Sequence, residues 1–281
     1  PLIIGAMTGG TEEAGAINRV LAEAAQARGI GLALGSARIV LERPETATSF
    51  QVRDVAPDVL LFANLGAIQF NHGVTGAQAA ELVDTLQADA LNLHLNPLQE
   101  AIQPAGDTNF QGLFDRIAEA LPHIPVPVLV KEVGAGIGPE SAQALAALPL
   151  AGVESAGVGG TSWSRVEALR QEDPVAWSTG VALGGFGVPT ADSIIACREA
   201  FGDRIVIGSG GLRTAVDRAT ALALGADAVA CALPYLKAAQ NGVEAVVEVL
   251  DHLIHTLKVI HFTCGVTRTT DLRGRVHPVG D

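Results

Sequence analysis

Short apolar runs alternate with helix-period stretches along the whole chain. Eight runs read as strands: Leu2–Ala6, Gly31–Leu34, Val59–Ala63, Ala90–Leu95, Val126–Glu132, Gly152–Ala156, Arg204–Gly208 and Asp227–Ala230. Most lack a polar face, as expected of strands covered on both sides. Between them, Ala14–Arg28, Ala77–Leu86, Phe110–Ala120, Glu140–Leu148, Thr190–Ala200 and Thr214–Leu224 carry apolar residues at helical spacing. This alternation predicts parallel strands joined by right-handed helical crossovers. Eight such units favour closure, so the expected fold is α/β, a (β/α)8 TIM barrel in a single domain over 1–281. An open doubly wound sheet is the alternative. One connection is long, from Gly157 to Pro189, and reads as a lid or binding loop with 164–188 mobile.

Composition narrows the function. The chain has 281 residues, 48% of them hydrophobic, and only 4% are aromatic, which argues against a stacking platform for nucleic acid. The net charge of −12 opposes nonspecific binding to nucleic acid or an anionic membrane. It also means that an anionic ligand needs a local cation or a metal. Cys197, Cys231 and Cys264 form no CxxC pair, which points to a reducing compartment and a cytoplasmic location. No apolar run reads as a transmembrane helix or a signal peptide. The chain starts inside its first strand, and upstream residues are expected to be missing.

Polar and glycine-rich clusters recur directly after the strands. They include Met7-Thr8-Gly9-Gly10, Gly35-Ser36-Ala37-Arg38, Asn64-Leu65-Gly66, His94 through Glu100, Lys131-Glu132-Val133-Gly134, Gly159-Gly160-Thr161-Ser162-Trp163, Ser209-Gly210-Gly211-Leu212-Arg213 and Ala232-Leu233-Pro234. In a barrel all of these reach the C-terminal face, where active sites are built. Gly208 through Gly211 precede a helix start at Thr214, a phosphate cradle by placement. Asn96 and Gln99 can orient a substrate by hydrogen bonds, and Glu100 can ligate Mg²⁺. Lys131 lies in an apolar strand, where a cation is costly unless partnered. Its alternatives are a cross-strand salt bridge or a role beside an electron-rich ring or phosphate. Arg38 and Arg213 are candidate anion ligands, Arg38 the better placed. Trp163 reads as a wall of the site or a core residue. His72, His123, His252, His255, His261 and His277 show no metal-binding spacing.

On these residues the chain resembles the FMN-dependent type 2 isopentenyl-diphosphate Δ-isomerases, from Pro1 to about Leu257. The string His94-Leu95-Asn96-Pro97-Leu98-Gln99-Glu100 carries the likeness most specifically. The resemblance implies that FMN contacts Ala6, Met7, Thr8, Ser36, Asn64, Lys131, Thr161, Gly210, Gly211, Ala232 and Leu233. It implies a prenyl diphosphate held by Ser36, Arg38, His94, Asn96 and Gln99, with Mg²⁺ on Glu100 and NADPH serving to reduce the flavin. Gln99 and His94 are the implied catalytic residues, and a homo-oligomer, tetramer or octamer, is implied as well. The implied reaction adds a proton at C4 of the alkene and removes one at C2 without net redox change. Two departures stand out. Ala37 replaces a glutamine common in the family, and the family's basic N-terminal extension is absent from this sequence.

Rival activities require residues that the sequence lacks at the relevant places. A hydroxy-acid oxidase calls for a histidine beside the arginine after strand seven, where Ser209-Gly210-Gly211-Leu212-Arg213 has none. A nucleotide dehydrogenase of related barrel type calls for a nucleophilic cysteine after strand six, where none stands. An FMN-dependent oxidoreductase acting on another small anion, and a non-catalytic phosphate-binding barrel, remain as alternatives.

Overall fold

The computed structural model describes residues 1–276; His277 lies outside the described residues. Eight parallel strands close into a barrel in chain order, as the alternation predicts. They are β1 (Leu2–Ile4), β2 (Gly31–Ala33), β3 (Leu61–Gly66), β4 (Ala90–His94), β5 (Val128–Lys131), β6 (Gly152–Glu154), β7 (Ile205–Gly208) and β8 (Ala228–Cys231). The strand ends differ from the sequence reading. β3 starts two residues later and runs to Gly66, which brings Asn64 inside the ladder, paired with Asn92.

Among the described residues, twelve helices surround the barrel: α1 (Glu12–Arg28), α2 (Arg38–Glu42), α3 (Gly76–Leu86), α4 (Pro97–Ile102), α5 (Leu113–Ala120), α6 (Pro139–Ala146), α7 (Trp163–Ala168), α8 (Pro174–Ala182), α9 (Thr190–Phe201), α10 (Ala215–Ala223), α11 (Leu233–Ala239) and α12 (Val243–Thr263). Local chemistry sets their ends. Thr11 caps α1 by accepting from the Ala14 N–H, and Gly29 ends it in the left-handed region at φ 59. Thr75 and Thr214 start α3 and α10 with complete capping boxes. The sequence reading does not single out α12, which carries His252 and His255, both exposed.

The segment read as an irregular connection is helical. Asp173 accepts from the Val175 and Ala176 N–H groups to start α8, with Pro174 at its first position. Gly180 of α8 lies so close to α7 that a Cβ would stand 2.7 Å from the Ser164 carbonyl. These short helices lacked a periodic signal because α8 carries no distinct apolar stripe, and Val175 and Trp177 are exposed on it.

The barrel interior explains where chemistry can sit. One inward layer is apolar: Ile3, Ala33, Phe62, Ala90, Leu129, Ile207 and Ala230 pack together. Side chains alternate along a strand, so the next inward position is two residues further on. Those positions are Gly5, Gly35, Asn64, Asn92, Lys131, Ser209 and Ala232, with Glu154 following Gly152. Small residues on β1, β2 and β8 leave space, and polar ones on β3 to β7 face it. Between barrel and helices lies the main core, with Leu91, Leu93, Val130 and Val153 fully buried.

Shortening Leu91 to alanine empties part of that core and is expected to cost about 2–5 kcal/mol. Val216→Ala, on the exposed face of α10, should stay within about 0.5 kcal/mol of the parent. Paired chemical denaturation curves would show whether the two differ.

Candidate active site

Two cavities open at the C-terminal end of the barrel and share a wall made of Ala6, Met7, Lys131, Val133 and Trp163. The first holds about 300 Å³ and takes Thr161, Gly210, Gly211, Ala232 and Leu233 of the residues singled out in the sequence. The second holds about 540 Å³ and takes Ser36, Arg38, Asn64, His94, Asn96, Gln99 and Glu100. Thr8 lines neither cavity. Its carbonyl accepts from Asn18 Nδ2 at 3.2 Å, and its backbone packs on Gly35, where a Cβ would meet the Thr8 oxygen at 2.5 Å. Trp163 is the expected wall. Arg213 reaches the edge of the first cavity but is exposed.

Glycines let the loops after β6 and β7 touch. Gly210 and Gly211 adopt φ values of 116 and 75, and a Cβ on Gly211 would lie 2.1 Å from the Gly159 carbonyl oxygen. No residue with a side chain fits this contact, so this part of the first cavity is lined by backbone.

Lys131 is 7% exposed and borders both cavities. Its Nζ donates to the Glu132 carbonyl at 2.6 Å. An ammonium has three donors, so two remain for a ligand among the described residues. The Glu132 carboxylate accepts from the Val133, Gly134 and Ala135 N–H groups at 2.6, 2.7 and 2.6 Å, which closes the turn that sets Lys131. Burial pushes the Glu132 carboxyl up, opposed by those three donors and by Lys131. Glu154, 5% exposed, pairs in register with Lys131 on the neighbouring strand and accepts from Ser209 Oγ at 2.7 Å. Lys131 and Glu154 form no direct ion pair, so the cross-strand salt bridge is not what satisfies the lysine.

In the second cavity, Asn64 Nδ2 donates to the Leu34 carbonyl at 3.2 Å, which turns its Oδ1 toward His94 Nδ1 at 2.9 Å. The neutral tautomer with its proton on Nδ1 therefore leaves Nε2 as an acceptor beside Gly66. Burial, then the Lys131 and Arg38 charges, lower the His94 pKa from 6.5 to about 3.

The helix after β4 carries a tight polar cluster. Asn96 Nδ2 donates to Glu100 Oε1 at 2.7 Å and to Gln99 Oε1 at 3.2 Å. Its own Oδ1 is buried without a partner among the described residues. Glu100 Oε2 accepts from the Asp107 N–H at 2.8 Å and also meets Gln103 Nε2. The Asp107 side chain meets His72, so a strap over Glu100 is anchored at the surface. Gln99 Nε2 donates at 2.8 Å to Oε1 of Glu167, which is 1% exposed on α7. Sequence reasoning missed Glu167 because it lies in the segment taken for a mobile loop. A carboxylate four residues after Trp163, facing inward with Ala168, was the available signal.

Two consequences can be measured. The unfolded chain protonates His94 near 6.5, whereas the folded protein resists until about 3. The neutral histidine's contribution is therefore complete above 6.5 and lost as pH falls between those values. His94→Gln should flatten that slope in unliganded protein; superimposable slopes for the two proteins would refute a neutral, desolvated ring. Gly211→Ala should destabilise the protein by about 2 kcal/mol or more, while Gly185→Ala, with open space around its Cβ position, should be silent in the same melting assay.

Known proteins similar to this chain show its family. A family model described as FMN-dependent dehydrogenase matches residues 114–277. An isopentenyl-diphosphate delta-isomerase of Synechococcus sp. is 49% identical over 93% of this chain and 75% of its own length. Those of Deinococcus radiodurans and Nostoc sp. are 46% and 43% identical, over 98% and 97% of this chain and 80% and 78% of their own. Among solved structures, an oxidized active mutant of (S)-mandelate dehydrogenase superposes with a TM-score of 0.67 at 20% identity, over 98% of this chain and 79% of that one. Mandelate oxidase with (S)-2-phenylpropionate gives 0.64 at 18%, over 98% and 77%. Those two likenesses bear on the fold alone. The chain belongs to the isopentenyl-diphosphate delta-isomerase family, and its barrel is that of the FMN-dependent dehydrogenases.

Proposed function

We propose that this protein converts isopentenyl diphosphate to dimethylallyl diphosphate with reduced FMN and Mg²⁺, in isoprenoid biosynthesis. The observation that carries the reading is the pair of cavities sharing the Lys131–Trp163 wall, one lined in part by glycine backbone and the other lined by Arg38, His94, Gln99 and Glu100. The first suits a flavin, and Lys131 keeps two donors for it. The second suits a diphosphate, and its cations offset the overall charge of −12. NADPH serves as the reductant of the flavin. A homo-oligomer, tetramer or octamer, agrees with the apolar residues Leu169, Val175, Trp177 and Phe186 exposed on the α7–α8 cap. The three unpaired thiols agree with the cytoplasm.

Reduced FMN supplies an electron-rich ring beside the alkene, which stabilises positive character there. Mg²⁺, when bound, would offset the diphosphate charge, and Glu100 is the residue that would hold it. Among the described residues no cluster of three His, Cys, Asp or Glu side chains forms a metal cage. A single carboxylate fits a Mg²⁺ that keeps waters and takes substrate phosphate oxygens. Ser36 and Arg38, both in the second cavity, hold the diphosphate, and the free Lys131 donors serve the flavin. His94 offers its Nε2 as an acceptor to a protonated phosphate oxygen, or becomes a donor when the diphosphate raises its pKa. Met7 and Trp163 keep water from the shared wall. Gln99 is clamped by Asn96 and Glu167, so its amide is aimed once and cannot flip without breaking a bond to a buried carboxylate.

Anaerobic incubation of the full-length protein with FMN, NADPH, Mg²⁺ and isopentenyl diphosphate should release dimethylallyl diphosphate, and absence of that product would sink the proposal. Glu167→Gln should lower kcat roughly 10- to 100-fold with KM little changed, as expected when a residue acts by orienting another. Glu100→Gln should raise the Mg²⁺ concentration needed for half-maximal rate.

A second reading, an FMN-dependent oxidoreductase on another small anion, draws support from the family-model match over 114–277. Rapid reduction of the bound oxidised flavin by another small oxidisable anion, without isomerisation, would favour it.

A further inference from the structure

One buried cation has no role in the account above. Arg218 on α10 is 2% exposed. Its Nε donates at 3.0 Å to the Leu212 carbonyl, and its guanidinium carbon lies 5.6 Å from the centre of the Tyr235 ring. Among the described residues no carboxylate makes an ion pair with it. Arginine does not give up its proton in proteins, and a buried charge without a counter-charge is costly. The surroundings of Arg218 therefore favour an anion nearby.

Its two neighbours place Arg218 behind the first cavity. Leu212 directly follows Gly210 and Gly211, and Tyr235 stands two residues after Leu233; Gly210, Gly211 and Leu233 all line the first cavity. Arg218 does not line the cavity itself. It lies behind the loops that follow β7 and β8, the usual phosphate cradle of a barrel, and it links the two. By engaging the Leu212 carbonyl from behind, it also commits that acceptor oxygen away from the cradle. Arg213, on the same loop, is exposed, where water and salt screen its charge. Arg218 is shielded from both.

We propose that Arg218 is a positioning residue for the phosphate of the flavin: a dry cation behind the β7–β8 cradle that selects a phosphorylated flavin over its unphosphorylated form. This rests on the first cavity being the FMN site. The class of ligand recognised is a phosphate monoester dianion.

The test compares FMN with riboflavin, which differ by the phosphate alone. Dissociation constants for both would be measured by flavin fluorescence on wild type, Arg218→Met, Arg218→Gln and Arg218→Lys. The melting temperature of each apoprotein would be measured with and without inorganic phosphate. Arg218→Met should weaken FMN about 30-fold while changing riboflavin less than about threefold. Arg218→Gln keeps a donor for Leu212 without the charge and should behave the same way, and it carries the test if the methionine variant does not fold. Arg218→Lys should restore most of the preference for FMN. Phosphate should raise the melting temperature of wild type but not that of the neutral variants. Equal losses for FMN and riboflavin, or an unchanged FMN affinity, would overturn the proposal. A wild type that binds neither flavin would instead defeat the FMN reading, and the phosphate-dependent melting shift would still decide the role of Arg218.

Discussion

Everything at the rim depends on the ladder between the first and last strands. β1 pairs with β8 at Leu2–Val229, Ile3–Ala230 and Ile4–Cys231, and the Gly5 N–H continues it to the Cys231 carbonyl. Parallel strands this short expose unpaired edges unless the sheet closes. Closure brings residues distant in sequence to one opening, so Met7, Lys131 and Gly210 become neighbours around the first cavity. The glycine-to-glycine contact between the β6 and β7 loops depends on it too, since it requires the backbones of Gly159 and Gly211 to meet without side chains.

Within that opening, an apolar layer beneath a polar one produces the site. The lower layer, from Ile3 to Ala230, excludes water from the floor. The layer above holds Asn64, Asn92, Lys131, Glu154 and Ser209, each buried. At low effective dielectric these groups act strongly on each other, which is why Lys131 and Arg38 help hold His94 neutral. Glu132 satisfies the turn after β5, which leaves Lys131 with directed donors at the wall of both cavities.

The α7–α8 cap places a second layer of control above the rim. Glu167 comes from this cap and its buried carboxylate accepts from the half-buried Gln99 on α4, joining the loops after β4 and β6. A cavity-lining amide is thus set by a carboxylate 68 positions away in the chain.

The barrel itself was legible in the sequence. Strands buried on both faces leave continuous apolar runs, and eight of them separated by amphipathic stretches leave few arrangements. The position of the rim was legible for the same reason, because every strand ends in a polar or glycine-rich cluster. What the sequence alone determined was therefore the period of the chain and the residues at the end of each strand: His94, Gln99 and Glu100 after the fourth, Lys131 on the fifth, Gly210 and Gly211 after the seventh. Only the tertiary structure decided which of them meet. It divided them between two cavities, left Thr8 outside both, folded 164–188 into helices, and brought in Glu154, Glu167 and Arg218, whose importance lies in burial and partners that no local pattern encodes. The reason is physical: periodicity reports which face of an element is dry, whereas the partner of a buried charge is fixed by closure and packing between distant segments.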